Sequence, residues 1–296
     1  MLFGRFTIPL LPRQSVLWLS RALGRCTYLF SPNLRRISEA NLILVFGDSK
    51  TVKERQRICI ASFQSFTLVL LDLFWFNFRT KTRVPKYLHY DDSSRILLDD
   101  PPAIVVTGHY GNWEIVSLGC GLEGSPMTSV AMPLKNAFAE RELYRLRAKT
   151  GSEITSRRGA IRHVIKALRA GRNTALLMDQ NTFPKHGGTF VPFFGLPVPV
   201  SKAVGSLWAR TQARILVSWC IPDRNGIYTV RSLEPFPAEG ETLSSEEIAA
   251  RVTAGLESII REQPEYWLWS YRRWRYYREG DDPSQYPYYA SIMPPQ

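Results

Sequence analysis

The pattern of apolar and polar side chains changes character along the chain near residue 101. Before that point, apolar positions recur at the three- and four-residue spacing of helices. The predicted helices cover residues 15–30, 33–46 and 52–78, with a break at 47–49 where glycine, aspartate and serine interrupt the pattern. We therefore expect residues 1–90 to form a helical N-terminal section.

Residues 60–78 come nearest to a membrane-spanning helix, which needs about 20 consecutive apolar residues. Gln64, Asp72 and Asn77 interrupt this stretch, so we predict a buried or membrane-dipping helix and not a span. Prolines also break the apolar patch at residues 6–11, and no small-residue cleavage site follows it, so it is a poor signal peptide.

From residue 101 onwards, short β-branched runs alternate with amphipathic segments. The predicted strands are residues 103–107, 128–131, 174–178, 215–220 and 227–230. One predicted helix follows residue 112, and the others cover residues 138–149, 160–170, 203–211 and 244–262. Such alternation predicts an α/β fold with a largely parallel central sheet flanked by helices. We assign residues 91–278 to this domain and residues 279–296 to a C-terminal tail.

Composition and charge narrow the class of protein. The 296 residues are 45% hydrophobic, which is enough for a large core, and the formal net charge is +12 with a pI near 9.7. Such a charge predicts an acidic partner: nucleic acid, an anionic membrane, phosphorylated lipid or an acidic carrier protein. In residues 15–30, Arg21 and Arg25 alternate with leucines, which suits either a helix on an anionic bilayer or an ordinary packed surface helix.

Several familiar chemistries lack sequence support. The four cysteines, Cys26, Cys59, Cys120 and Cys220, are scattered without CxxC or metal-ligand spacing, so we predict a reducing compartment and no zinc site. Residues 119–124 spell G-x-G-x-x-G, but they follow the first α/β helix instead of preceding it. The sequence has no P-loop and no G-x-S-x-G elbow.

The candidate chemistry lies where the strand at residues 103–107 ends. His109 and Glu114 are five positions apart and would be about 140° out of phase on one helix. If His109 instead lies on a loop and Asn112 caps the next helix, Glu114 falls in the first turn and its carboxylate can reach the imidazole. Glu114 would then hold one ring nitrogen protonated and leave the other as a free base.

The same residues also admit a structural interpretation, namely a satisfied histidine beside a capped helix. The strand–turn–helix context favours the catalytic interpretation, because the chemistry of α/β proteins gathers at such turns.

The segment at residues 108–114, Gly-His-Tyr-Gly-Asn-Trp-Glu, resembles the H-x4-[DE] motif of the glycerolipid acyltransferase superfamily. In this form it resembles the late acyltransferases of lipid A biosynthesis. Further stretches resemble that family at residues 41–42, 54–55, 176–181, 189–195, 264–269 and 272–275. The likeness spans residues 35–275 and implies a glycerolipid-acyltransferase-like sandwich. The family usually begins with a membrane-spanning helix. Here prolines and arginines interrupt the first thirty or so residues, so a spanning helix is not expected there.

The resemblance implies transfer of an acyl chain from an acyl-carrier-protein or coenzyme A thioester to a hydroxyl of a membrane lipid. A lipid A precursor or a related glycolipid is the expected acceptor. His109 would be the general base and Glu114 would orient it and stabilise the imidazolium. A thioester is already activated, so neither an enzyme nucleophile nor a cofactor is expected beyond the donor itself.

Residues matching the family, or lying beside its motifs, are candidates for substrate binding. They are Asn112, Met132, Arg145, Arg147, Arg158, Asp179, Gln180 and Phe194. The arginines would hold a phosphate or the oxyanion, with Arg147 as the preferred match. Asp179 and Gln180 close a strand at the carboxyl edge of the sheet, and Phe194 would line an acyl channel. A solvated arginine, a capped loop and an ordinary core aromatic are the respective alternatives.

The expected partners are an acyl carrier protein, an anionic membrane surface and a lipid acceptor, with no nucleic acid. We expect a peripheral or monotopic protein on the cytoplasmic face of the inner membrane. Two alternatives stay open within enzymes: a lysophospholipid or other glycolipid acyltransferase outside lipid A synthesis, and a thioesterase. A third is a basic nucleic-acid-binding protein, which the aromatic, arginine-rich residues 267–277 would suit.

Overall fold

The computed structural model describes residues 6–131, 140, 141, 144, 145, 148–156 and 159–294. Its helices are α1 (Arg13–Phe30), α2 (Pro32–Phe46), α3 (Val52–Trp75), α4 (Thr80–Tyr87), α5 (Ile96–Asp99), α6 (Trp113–Leu122), α7 (Ala160–Arg169), α8 (Ala203–Thr211) and α9 (Ser245–Glu262). Its strands are β1 (Leu88–Tyr90), β2 (Ala103–Thr107), β3 (Met127–Ala131), β4 (Glu153–Ser156), β5 (Asn173–Leu177), β6 (Gly188–Phe193), β7 (Leu196–Ser201), β8 (Arg214–Pro222), β9 (Tyr228–Ser232), β10 (Tyr276–Tyr277) and β11 (Ser291–Ile292). The described residues between 140 and 148 are also helical.

Seven strands form the main sheet, in the order β1-β9-β8-β2-β5-β3-β4. Neighbours from β8 to β4 are parallel, whereas β9 runs antiparallel to β8 and β1 runs parallel to β9. The predicted α/β class, with a largely parallel sheet flanked by helices, is therefore confirmed.

The central strand β2 is buried along its whole length. Ile104 and Val106 pack into a core that includes residues of α8 and α9, while Ala103 and Val105 pack into a second core shared with α6. This alternation is what a strand between two helical layers requires. The turn after β2 is consequently held by a strand that is packed on both faces.

The three predicted N-terminal helices are present as α1, α2 and α3. α3 begins with a capping box formed by Thr51 and Glu54. Among the described residues it is the one helix long and apolar enough to cross a membrane, and 44% of its most apolar window is buried inside the protein. The predicted polar interruption at Asp72 lies in that buried side.

α1 packs on one face and is apolar on the other as well. Val16 and Leu17 are buried, whereas Trp18, Leu23 and Leu29 are exposed large hydrophobic side chains. Arg21, Arg25 and Cys26 are also exposed. The helix therefore combines the two predicted possibilities, since it packs against the protein and presents an apolar, basic face outwards.

Short or proline-containing elements differ from the sequence prediction. Residues 79–86 mostly form α4, which, like the three-residue β1 and the four-residue β4, is not among the predicted elements. Residues 189–195 form most of β6 and the turn of a β-hairpin with β7, which is also not among the predicted elements. Such segments carry too few periodic positions for a local signal.

Candidate active site

The turn at residues 108–112, here called the histidine turn, connects β2 to α6. Asn112 is the N-cap of α6, because its side chain accepts a hydrogen bond from the backbone N–H of Ile115 at 3.3 Å. Gly111 has a φ of +58°, and a Cβ there would lie 2.0 Å from the carbonyl oxygen of Cys220. The predicted cap, and the position of Glu114 in the first turn of α6, are confirmed.

The carboxylate that holds His109 comes from Asp179. The Nδ1 atom of His109 lies 2.8 Å from Oδ1 of Asp179, and the backbone N–H of His109 donates to Oδ2 at 2.7 Å. The indole N–H of Trp267 also donates to Oδ2, at 3.0 Å. Asp179 is thereby fixed through both oxygens.

Strand register explains this pairing. β2 and β5 are parallel neighbours in which Thr107 pairs with Leu177. His109 and Asp179 each follow two positions later, so they lie side by side at the carboxyl edge of the sheet. Parallel strands bring such residues together however far apart they are in the sequence.

The sequence predicts that Glu114 holds a ring nitrogen of His109, whereas in the structure Asp179 holds Nδ1. Glu114 is buried in the first turn of α6 and accepts a hydrogen bond from the indole N–H of Trp113 at 3.0 Å. Its charge still reaches His109, because it contributes to raising the pKa of the imidazole. Glu114, the carboxylate nearer in the sequence, thus acts on His109 through its charge, while Asp179, which follows the adjacent strand β5, holds Nδ1.

Opposing effects set the ionisation of the pair. Burial alone lowers the pKa of His109, but the charge of Asp179, the hydrogen bond to it and the charge of Glu114 outweigh this, so the pKa is raised above its ordinary value. Burial would raise the pKa of Asp179, but the charge of His109 and the hydrogen bonds from His109 and Trp267 hold it below its ordinary value. An ionised Asp179 can only accept, so Nδ1 carries a proton and a neutral His109 has Nε2 as its basic nitrogen.

The other predicted site residues are spread over several places. Asn112 is buried and its side chain bonds to Ile115, Asp72 and Tyr228, so its predicted contact with substrate stays a prediction. Gln180 is exposed beside Asp179. Met132, Arg147 and Arg158 lie outside the described residues.

Phe194 lies in the turn of the β6–β7 hairpin. Its ring packs against Phe193 and Trp274 in the core, and the Arg261 guanidinium lies over it at 4.6 Å. This placement is that of an ordinary core aromatic, the alternative to an acyl-channel residue.

A narrow cavity of about 30 Å³ lies between the sheet and α6 and is lined by Thr107, Trp113, Val116 and Met127 among others. Trp113 also contacts the ring of His109, with the ring centroids 5.0 Å apart.

A larger groove, here called the N-terminal groove, has a volume of about 870 Å³. Its apolar walls include Phe6, Leu10 and Phe78, and it is also lined by Arg145 and Lys149. The predicted substrate residue Arg145 therefore lies in a groove that combines aromatic and cationic side chains.

Sequence reasoning missed two functional features of the site. The sequence predicts substrate binding for Asp179, although its position after a strand, like that of His109, also predicts that the two residues share this sheet edge. Trp267 gave no local signal, because an indole N–H that reaches a buried carboxylate depends on the path of the C-terminal chain. Asp179 and Trp267 together hold the imidazole of His109, whose Nε2 atom can take a proton from a hydroxyl group.

The chain is similar to known proteins over most of its length. The family model for bacterial lipid A biosynthesis acyltransferases matches residues 1–276. The lipid A biosynthesis palmitoleoyltransferase of Escherichia coli (strain K12) is 24% identical over 270 residues, which cover 90% of this chain and 86% of that protein. A lipid A biosynthesis acyltransferase of Haemophilus influenzae is 21% identical over 237 residues, covering 78% of this chain and 73% of that protein.

Among solved structures, the 1-acyl-sn-glycerophosphate acyltransferase PlsC of Thermotoga maritima aligns with a TM-score of 0.40 and 15% identity, over 79% of this chain and 98% of that one. The match of the family model extends over more than nine-tenths of the sequence. The chain therefore belongs to the bacterial lipid A biosynthesis acyltransferase family and is an acyltransferase that acts on a lipid.

Proposed function

We propose that this enzyme transfers a fatty acyl group from an acyl-carrier-protein or coenzyme A thioester to a hydroxyl of a lipid A precursor or a related glycolipid. The observation that carries the proposal is the pairing of His109 with Asp179 at the carboxyl edge of the sheet. The names of the relatives support the class of acceptor.

In the proposed reaction, Nε2 of His109 takes the proton of the acceptor hydroxyl as its oxygen attacks the thioester carbon. The tetrahedral intermediate collapses, the C–S bond breaks, and the imidazolium returns the proton to the leaving thiolate. No covalent enzyme intermediate is needed, because the donor is already activated. Asp179 and Glu114 both favour the imidazolium, and Asp179 also fixes the orientation of the ring.

The N-terminal section supplies the proposed membrane contact. The outward face of α1 presents Trp18 and Leu29 beside exposed Arg21 and Arg25, a combination that suits an anionic lipid surface. The N-terminal groove begins just before this helix, and its aromatic walls and cations match the acyl chains and charged headgroup of a lipid. We propose the cytoplasmic face of the inner membrane as the location of the protein, where the net charge of +12 would also favour an acidic carrier protein.

The test is a transfer assay with labelled acyl donors carried on acyl carrier protein or coenzyme A. The acceptors are a lipid A precursor and several lysophospholipids, and release of free fatty acid is measured in parallel. We expect labelled lipid A product from the parent protein and at least a 100-fold loss in folded His109→Ala. Label on lysophospholipids alone, or fatty acid without labelled lipid, would contradict the proposal.

His163→Ala is the matched control. His163 also faces a carboxylate, with its Nε2 3.3 Å from Glu153, but both side chains are about half exposed. Its removal should leave transfer unchanged, because this pair is remote from the sheet edge that carries His109.

A further inference from the structure

A buried ion pair joins α1 to α3. Arg13 and Asp72 are only 5% and 2% exposed, and their side chains form a salt bridge in which one guanidinium nitrogen lies 3.2 Å from Oδ2. The same guanidinium donates to the carbonyl oxygen of Gly226 at 3.1 Å and lies over the ring of Trp75 at 4.9 Å. Burying two charges costs so much solvation that a hydrophobic pair of similar size would often be as stable. Stability alone is therefore a weak reason for this pair.

The carboxylate of Asp72 also reaches the histidine turn. Its Oδ2 accepts hydrogen bonds from the hydroxyl of Tyr228 at 2.6 Å and from the side-chain amide of Asn112 at 3.3 Å. The amide of Asn112 donates to the hydroxyl of Tyr228 as well, at 3.2 Å. Both donors of Asn112 thus face this cluster, while its oxygen caps α6 at Ile115.

The type of residue at position 112 follows from this arrangement. A helix N-cap needs only a side-chain oxygen, and aspartate serves there as well as asparagine. An aspartate at 112 would, however, bring a second carboxylate against Asp72. The cluster therefore demands an amide whose orientation is set by the charge on Asp72.

The backbone of the turn is held separately. Asn112 N–H donates to the carbonyl of Cys220 at 2.8 Å, and Gly111 N–H donates to the carbonyl of Tyr266 at 3.0 Å. These bonds fix the main chain, whereas Asp72 fixes the capping side chain that starts α6. His109 lies three residues before that cap, and Glu114 lies two residues after it.

We propose that Asp72 is a positioning residue for His109, acting through Asn112 and Tyr228, and that Arg13 provides the countercharge that keeps this carboxylate in the core. The inference rests on the proposed role of His109 as the base. It makes α1 part of the support of the active site, in addition to its outward face.

A reciprocal exchange tests the proposal. Asn112→Asp keeps a capping oxygen but faces Asp72 with a like charge, so kcat should fall about 10- to 100-fold. The double variant D72N/N112D restores an amide opposite a carboxylate and keeps one negative charge near Arg13. We expect it to recover kcat to within about fivefold of the parent, while KM changes little in all variants.

The matched control is Asn173→Ala, which removes another fully buried polar side chain, at the opposite end of the sheet. It should lower Tm without lowering kcat per folded molecule. Parental kcat in Asn112→Asp, or a double variant no better than the single one, would overturn the proposal.

Backbone amide exchange over residues 108–115 gives a readout that does not depend on the reaction. We expect faster exchange in Asn112→Asp and a return towards the parent in the double variant. In Asn173→Ala we expect no increase at residues 108–115 beyond the general increase that lower global stability produces throughout the protein. Unchanged exchange in Asn112→Asp would refute the positioning role. If the variants show the expected exchange rates but the parent protein transfers no acyl group, the proposed function would be refuted. The support of the histidine turn by Asp72 would then still stand.

Discussion

The strand β5 has a buried polar side chain at each end, and the two ends differ in what those side chains can do. At its start, Oδ1 of Asn173 accepts the backbone N–H of Ala103 at 2.7 Å. Just beyond its end, Oδ2 of Asp179 accepts the backbone N–H of His109, also at 2.7 Å. Each side chain therefore fixes the neighbouring chain of β2 in the same way.

The remaining polar atoms make the difference. The amide of Asn173 donates to the carbonyl of Leu97 at 2.7 Å and to Oγ of Ser125 at 3.0 Å, which closes a neutral cluster. The second oxygen of Asp179 instead holds an imidazole whose side chain is 20% exposed. A structural clamp becomes a reactive site when one of its partners is titratable and reachable from solvent.

Removing the titratable partner should have the largest effect on activity. His109→Ala is expected to lower kcat for acyl transfer by about 10³-fold, within the range typical of a lost general base. Steady-state transfer assays on protein whose Tm matches the parent would measure this loss. If His109→Ala lost less activity than Asp179→Asn, Asp179 would have a mainly structural role, like Asn173 at the start of β5.

Replacing Asp179 by its neutral isostere asparagine should separate the structural role of this side chain from its electrostatic role. Asp179→Asn is expected to lower plateau kcat about 100-fold, because the ring loses its anionic partner. Activity requires neutral His109, so in the parent it should rise with pH through a raised pKa. Without Asp179 the lowering effect of burial gains weight, and the midpoint of the pH–rate profile should move to lower pH. An unmoved midpoint would contradict the assigned electrostatics.

Glu114 tests how far the second carboxylate matters. Glu114→Gln is expected to lower kcat about tenfold and to move the pH midpoint in the same direction as Asp179→Asn, but by less, because Glu114 is the smallest of the named influences on the pKa of His109. A larger shift than in Asp179→Asn would reverse the assignment of the two carboxylates.

The amino-end clamp should matter for stability alone. Asn173→Ala leaves the N–H of Ala103 without its side-chain partner and removes one of the two donors to the carbonyl of Leu97, which also accepts from Ser125. This should cost roughly 2 kcal/mol of unfolding free energy. Denaturant unfolding would measure this cost. The kcat per folded molecule should stay within about twofold of the parent, and a larger change would show that the two ends of β5 are coupled.

Local sequence patterns are enough to predict much of the fold and part of the candidate site. The helical periodicity of α1 to α3, the β-branched run of β2 and the cap at Asn112 are all features of neighbouring residues, and the structure has each of them. The partner of His109 could not be found in this way, because it depends on β5 lying beside β2. Strand order is a property of the whole chain.

The contacts of Asp72 also could not be predicted from local sequence patterns. In the sequence it is only a polar interruption of an apolar helix. Its partners Arg13, Asn112 and Tyr228 come from three distant elements, so no spacing rule connects them. Buried polar clusters of this kind become visible only when long-range contacts are known.

The distribution of thiols gives the chain a ready-made reporter position. Cys59, Cys120 and Cys220 are buried, and burial raises the pKa of the Cys59 and Cys120 thiols to about 12, whereas Cys26 is exposed on α1. A maleimide dye should therefore attach to the unaltered protein at Cys26 alone. An environment-sensitive dye at this position would show directly whether α1 enters the headgroup layer of anionic vesicles, without any engineered cysteine.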